Sequence, residues 1–401
     1  MVKKKVVLAY SGGLDTSVAI KWLQEKYDSE VITLTVDIGQ GEEIEPIVEK
    51  ARNVGAIKAI ALDLRREFLT DYAFKALKAN CTYEYNYHLS AALSRPLIAS
   101  YLVKLAKENN ASAVSHGCTA KGNDQVRFDL TIKTLKEDLA IWAPMREWVM
   151  TREEEIDYAQ KNNIPVPVGR KSPFSIDLNL WGRSIEAGPI EDIEKEPPEE
   201  AFQLVVSPEK APDKPEYVEI EFENNVPVGL NSNRMNPEDL VERLNKIAGS
   251  HGIGRSDMVE NRLVGIKTRE VYEAPAATVL VKAHRDLESL VLPRDLFHFK
   301  SLIDEKYSCL IYDGLWFSPL KKALDSFIDS FSERITGKIK IKLFKGSLTV
   351  VSRSSPFSMY QQDLATYGQN DSFLHNSAVG FIDIFSLPNR VYHRVGHGKK
   401  F

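Results

Sequence analysis

The stretch Ala9-Tyr10-Ser11-Gly12-Gly13-Leu14-Asp15-Thr16-Ser17 joins a short β-branched run to an amphipathic helical pattern, a placement suited to binding phosphate. Beyond the carboxyl end of a parallel strand, a helix N-terminus offers unpaired N–H groups and a positive partial charge. Gly12 and Gly13 let the backbone approach an anion without a Cβ in the way, and Ser11, Thr16 and Ser17 add hydroxyls. No lysine occurs from Ala9 to Ser17, so this is not a Walker A loop, and the glycines lack the spacing of GxGxxG. A second constellation, SHGCTAKGNDQVRF at Ser115 to Phe128, also follows a short strand and opens a helix. At helical pitch its Asn123, Asp124 and Arg127 fall within roughly a 100° arc. A free amino acid carries an ammonium and a carboxylate, and this trio has a partner for each. A solvated first turn with an i,i+3 ion pair fits the same residues equally well.

The elements that must position these groups alternate. Strand-like runs at Lys5 to Tyr10, Val31 to Val36, Ile57 to Leu62, Ala111 to Ser115 and Leu139 to Ala143 are separated by helical patterns, the signature of a parallel sheet with crossover helices. Val18, Ala19, Trp22 and Leu23 form the buried stripe of the first helix; Glu42 to Val54 and Leu89 to Asn109 hold two more. Phe128, Ile132, Leu135 and Leu139 follow helical spacing and should face the core. From about Ile164, IPVPVGRKSP, EKEPPEE and SPEKAPDKPE interrupt regular structure and read as linker or irregular wrapping. A helix is then signalled by Asn236 as N-cap and Pro237, with Gly249 expected to close it. Another is expected from Ser318 to about Arg334. KIKIKLFKGSLTVV reads as a hairpin turning at Lys345-Gly346, with Ile339, Ile341 and Leu343 inward and its lysines on a wet face. The tail from Pro356 to Phe401 lacks a strong period, yet Tyr360, Tyr367, Phe373, Phe381, Ile382, Ile384, Phe385 and Tyr392 need cover, from another subunit or from the tail itself.

With 401 residues, 43% hydrophobic and 27% charged, the chain has the composition of a soluble globular protein of two to three domains. A net charge of -4 gives no global footprint for nucleic acid or an anionic membrane, and no run approaches a membrane span. Cys81, Cys118 and Cys309 are too scattered for a disulfide framework or a Cys-based zinc site, which points to the cytoplasm.

The pattern S-G-G-x-D-[ST]-S resembles the pyrophosphate loop of the N-type ATP pyrophosphatases, which cleave ATP to AMP and pyrophosphate while adenylating a substrate oxygen. Members that thiolate tRNA generally rely on cysteine pairs, and glutamine-dependent members often carry a cysteine directly after Met1; this chain has neither. With SHGCTAKGNDQVRF and with GRSDMVENRLVGIKTREVYEAPA at Gly254 to Ala276, the chain resembles the argininosuccinate synthases, a likeness that extends to SSPFSMY at Ser354 to Tyr360.

That resemblance implies an α/β fold: a doubly wound parallel nucleotide-binding sheet of HUP-like type (residues 1–165), an α+β synthetase domain (166–355) and a C-terminal oligomerisation tail (356–401). It implies condensation of citrulline with aspartate through a citrullyl-adenylate, with ATP as substrate, Mg²⁺ as cofactor, a homotetramer, and neither a nucleic-acid nor a membrane partner. Ala9 to Ser17, Val36 and Gly117 would hold ATP, and Thr119, Asn123 and Asp124 the aspartate. Tyr87, Ala92, Asn123, Arg127, Ser175, Ser184, Glu260 and Tyr272 would line the citrulline site, with Arg127 on the carboxylate and Glu260 on the ammonium. Asp15 and Asp124 are the candidate catalytic carboxylates, whereas His116 is expected to be structural. One departure stands out: where the family often reads LGTS, this chain has Leu89-Ser90-Ala91-Ala92, so position 92 has no hydroxyl; backbone contact or Ser90 would have to compensate.

Overall fold

Val6, Val7 and Leu8 of the first strand are all fully buried, and alternate side chains enter two separate cores, Val6 and Leu8 on one face and Val7 on the other. A strand buried on both faces belongs in the middle of a helix-covered parallel sheet. The computed structural model, which describes residues 3–148, 150–165, 173–368 and 371–396, has that arrangement. β1 (Lys4–Ala9), α1 (Leu14–Tyr27), β2 (Ser29–Asp37), α2 (Ile44–Val54), β3 (Lys58–Asp63), α3 (Ser90–Glu108), β4 (Ala113–Ser115), α4 (Asp124–Leu135), β5 (Ala140–Trp142) and α5 (Arg152–Lys161) alternate as the sequence implies. All sheet pairings are parallel and the strand order is β3-β2-β1-β4-β5. The order reverses between β1 and β4, so the loops following these two strands open side by side at the carboxyl edge.

Two antiparallel sheets follow. The stretch that reads as irregular contains a hairpin, β6 (Ser175–Asn179) and β7 (Gly182–Glu186). It is a correction with a simple cause: its second strand, β7, joins a distant partner, and the stabilising ladder is therefore non-local. Residues 166–172, within the IPVPVGRKSP stretch, lie outside the described residues. β8 (Glu216–Glu223), β9 (Val226–Leu230) and β10 (Asn233–Arg234) lead to α6 (Pro237–Ser250), then β11 (Arg255–Asn261) and β12 (Lys267–Glu273). Three helices, α7 (Pro275–Val291), α8 (Arg294–Tyr312) and α9 (Pro319–Asp329), precede β13 (Gly337–Phe344) and β14 (Ser347–Ser354). The sheets are ordered β10-β9-β8-β13-β14 and β11-β12-β7-β6. Ile339, Ile341 and Leu343 are fully buried while Lys340 is exposed, as the hairpin pattern requires.

Helix ends followed the cap chemistry at one terminus and not at the other. The Asn236 side chain accepts the Asp239 N–H at 2.8 Å and caps α6. Gly249, however, lies inside the helix, and the chain leaves it at His251. Its lack of a Cβ has another use: a methyl there would collide with the Leu204 carbonyl oxygen, and the Gly249 carbonyl accepts the Val206 N–H at 3.1 Å. Gly249→Ala should therefore lower stability by about 2 kcal/mol; an unchanged urea midpoint would contradict this close approach. The predicted helix at Ser318–Arg334 breaks at Asp329 and ends in a separate 3₁₀ turn at Ser332–Arg334. In α4, Phe128 and Ile132 are buried as expected, but Leu135 is 40% exposed and Leu139 lies beyond the helix end.

The chain divides into two compact units between Phe357 and Ser358. The second contains α10 (His375–Gly396), a helix that the tail's weak period conceals. Its apolar stripe, Phe381, Ile384, Phe385 and Tyr392, is interrupted at the same helical face by Pro388, which is why a pattern search fails there. Every residue of that stripe is exposed.

Candidate active site

At the switch point, β1 ends in the glycine loop. Gly12 has φ +79°, and α1 starts at Leu14 with no side-chain cap on its N-terminus. The loop is braced from within: Ser17 Oγ donates to the Gly13 carbonyl at 2.7 Å and shares a hydrogen with the Tyr10 hydroxyl at 2.9 Å, both residues being buried. Ser11 and Thr16 hydroxyls lie 3.2 Å apart nearer the surface. Asp15 pairs with Arg152 of α5, which also bonds Glu155 at 3.0 Å. The loop after β4 presses on this one, since a Cβ on Gly117 would stand 3.0 Å from Thr16 Cγ2. Val36 is buried at the end of β2, its carbonyl bonded by the Gln40 side chain at 2.6 Å.

Beside the glycine loop, α4 starts after Asn123 and carries the trio into a cavity of about 100 Å³ walled by β6, β7, β11 and β12. Arg127, only 4% exposed, donates from Nε to the Tyr312 carbonyl at 2.9 Å and from Nη1 to Asp124 at 2.8 Å, and its guanidinium lies over the Tyr312 ring. Nη2 is buried without a protein partner among the described residues. Asp124 also accepts from Arg95 at 2.7 Å. Burial alone would raise its pKa, but Arg95 and Arg127 outweigh that and hold it at about 2. Asn123 donates to the Tyr312 hydroxyl at 2.7 Å and accepts the Leu263 N–H at 2.9 Å.

Across the cavity, Glu260 is buried and accepts two phenols, Tyr272 at 2.6 Å and Tyr312 at 2.7 Å. Tyr272 stacks on Tyr87 with centroids 4.1 Å apart. The Tyr87 hydroxyl accepts the N–H groups of Ala91 and Ala92 at 3.0 and 3.2 Å, capping α3 in place of a side chain at its N-cap, Leu89. Arg262 bonds both Glu186 and Glu270 on the same wall. Burial, with Glu186 and Glu260 close by, pushes Glu270 up to about 8. One side of the cavity thus offers the unpartnered edge of the Arg127 guanidinium, and the other gathers Glu186, Glu260 and Glu270 with Arg262 among them.

Two family models divide the chain: the Arginosuccinate synthase N-terminal HUP domain matches residues 5–165, and the Arginosuccinate synthase C-terminal domain matches 174–392. Curated argininosuccinate synthases agree along the full length. Identity is 57% to that of Symbiobacterium thermophilum, covering 100% of both chains. It is 59% to that of Dictyoglomus turgidum, covering 98% of each, and 54% to that of Bacillus cytotoxicus, covering 100% of this chain and 99% of that one. The chain belongs to the argininosuccinate synthase family. Among solved structures, a U34-tRNA thiolase from Methanococcus maripaludis aligns with 42% of this chain and 61% of its own at 15% identity and a TM-score of 0.27, a likeness too slight to carry weight.

Within this family member, the structure gathers Tyr87, Asn123, Asp124, Arg127, Ser175, Ser184, Glu260 and Tyr272 around one cavity. Ala92 is not among the lining residues: it is fully buried, its N–H is taken by Tyr87, and Ala91 lines the cavity instead. Ser90 Oγ lies 3.5 Å from Ser184 Oγ. Thr119 sits on an exposed turn before α4, outside the cavity lining. His116 is fully buried, bonded to Asp129 at 2.9 Å and to the Cys118 N–H at 3.3 Å, in keeping with a structural role. Sequence reading misses Tyr312, Arg95, Arg262 and Glu270. Arg95 had a signal in the Arg95-Pro96 pair, which the structure places inside α3. Tyr312 had none, because it reaches Asn123 from the far end of α8. The next turn comes close enough that a Cβ on Gly314, at φ +76°, would lie 2.7 Å from Arg127 Cα.

Proposed function

We propose that the chain condenses L-citrulline with L-aspartate, consuming ATP and releasing argininosuccinate, AMP and pyrophosphate. One juxtaposition carries this function: the strand order sets the glycine loop next to the loop that leads into α4, whose cavity has Arg127 on one wall and Glu260 on the other. Ala9 to Ser17 would hold the ATP phosphates, with Val36 and Gly117 against the nucleoside. Arg127 takes the citrulline carboxylate, Glu260 with Tyr272 the ammonium on the same α-carbon, and Ser175, Ser184 and Asn123 line the cavity around the rest of the molecule. The ureido oxygen attacks the α-phosphorus, the α–β P–O bond breaks, and its electron pair leaves with pyrophosphate. The aspartate amine then attacks the ureido carbon, expelling AMP and losing a proton. Holding the two reactants in line supplies much of the acceleration, and the loop N–H groups stabilise charge on the departing phosphate.

Thr119, Asn123 and Asp124 would receive aspartate. A carboxyl held near 2 by two arginines is a weak base, which favours Asp124 as an ammonium partner over a proton acceptor. Mg²⁺ would enter with the nucleotide as MgATP, its charge set against the phosphates. The 1–165 segment would serve the nucleotide, 166–355 the amino acids, and 356–401 association into a homotetramer in the cytoplasm. The exposed stripe of α10 supports the last of these, and no described helix is long and apolar enough to cross a membrane. A chain ending before Pro356 should sediment as a smaller species; a truncated chain that stayed tetrameric would remove the tail from assembly.

The deciding assay follows pyrophosphate release with ATP, Mg²⁺, citrulline and aspartate, omitting one at a time. Release should require citrulline, and release indifferent to it would refute the function. The pH profile gives a further check. Glu270 is protonated below about 8, and an ammonium in the cavity favours its ionised form. The citrulline KM should therefore rise about tenfold as pH falls from 8 to 6.5. Glu270→Gln should flatten that slope, and a flat wild-type profile would count against an ammonium near Glu270.

A further inference from the structure

The glycine loop contains no lysine, yet a lysine reaches it from elsewhere. Lys50, half-buried on α2, donates from Nζ to the Gly12 carbonyl at 2.7 Å. One turn earlier on the same helix, Ile47 fills the space beneath Gly12, where a Cβ would meet its Cγ2 at 3.0 Å. Residues three apart share a helix face, so α2 grips the loop at a single point with one apolar and one charged contact.

Two consequences follow from this contact. The peptide between Gly12 and Gly13 is trans, so its carbonyl and N–H point opposite ways. Anchoring the carbonyl to α2 turns the Gly13 N–H toward the inside of the loop, where its only bond among the described residues is a long one of 3.4 Å to Ser11 Oγ. That donor is therefore loosely held and available to an anion. The second consequence is charge. Lys50 makes no ion pair among the described residues, and burial, the sole influence resolved on it, pushes its pKa downward. A cation kept partly out of water without a carboxylate is costly unless an anion arrives.

We propose that Lys50 is the cation of this phosphate loop: it fixes the Gly12 peptide and supplies, from outside the motif, positive charge for the pyrophosphate end of ATP. It is a positioning residue acting through Gly12. When the α–β P–O bond breaks, the electron pair stays with pyrophosphate, and the added charge would meet the Gly13 N–H, which Lys50 holds in place from the far side of the same peptide. This rests on the assignment of Ala9 to Ser17 to ATP phosphates.

The test uses the full-length enzyme and compares Lys50→Met, which keeps the apolar stem, with Lys50→Arg, which keeps the charge. Inhibition by inorganic pyrophosphate and by AMP is measured alongside KM for ATP and citrulline. Lys50→Met should weaken pyrophosphate inhibition and raise the ATP KM by about tenfold, leaving AMP and citrulline within about twofold, because neither carries the β,γ-phosphates. Lys50→Arg should restore most of the loss. Equal weakening of AMP and pyrophosphate would mean general damage to the loop and overturn the proposal, as would a Lys50→Met enzyme with unchanged pyrophosphate inhibition. Wild-type enzyme that bound neither pyrophosphate nor ATP would overturn the loop assignment itself, and the proposal with it.

Discussion

Arg127→Met should lower kcat/KM for citrulline by about two to three orders of magnitude, while the ATP KM changes little. The side chain is 4% exposed and holds three positions at once: the Tyr312 carbonyl, the Asp124 carboxylate, and a free Nη2. A buried guanidinium with one unpartnered edge in a cavity is poised for a carboxylate, which it would bind with charge-assisted hydrogen bonds. Removal also leaves Asp124 with Arg95 alone, so a half-buried carboxylate loses one of its two partners. Breaking such a buried pair typically costs about 3–5 kcal/mol, which sets the expected size of the effect. Arg127→Lys should recover little, because an ammonium cannot span the Tyr312 carbonyl, Asp124 and a ligand together. Steady-state kinetics in citrulline decide the matter: a methionine variant with near-normal citrulline KM would take Arg127 out of substrate binding.

Glu260→Gln should raise the citrulline KM by about thirtyfold and the aspartate KM by less than about threefold. Glu260 uses both oxygens, one for the Tyr272 hydroxyl and one for the Tyr312 hydroxyl. An amide retains a single acceptor, so one buried phenol loses its partner as the negative charge disappears. Tyr312 also accepts from Asn123, which ties this wall to the opposite one. Equal loss for the two amino acids would break the assignment of Glu260 to citrulline.

Much of this protein is written locally. A parallel nucleotide-type sheet follows from alternating β-branched runs and helical stripes, because the two periods, about 2 and 3.6 residues, are properties of the backbone itself. The glycine loop is legible for a similar reason, since Gly12 at φ +79° requires a residue without a Cβ. Family motifs named most of the cavity residues; of the others, Ala92 packs into the core, and Thr119, expected at the aspartate, lies outside the lining of this cavity.

Other features depend on long-range packing. The hairpin Ser175–Glu186 is invisible in a proline-rich stretch because β7 is stabilised by pairing with β12, nearly ninety residues away, as Ser184 with Tyr272. Tyr312 has no local pattern to mark it, and becomes the hub joining Asn123, Arg127 and Glu260 only when α8 ends beside α4. Lys50 looks like any helix-surface lysine until α2 is laid against the loop. By itself the sequence determined the alternating elements of the parallel sheet, the glycine loop and the charged trio, since these depend on chain periodicity and on which residues tolerate a given backbone. Tertiary structure alone decided that β1 and β4 are neighbours and which charges face each other across the cavity. Strand order and side-chain encounters are set by burial summed over the whole chain, which no local window contains.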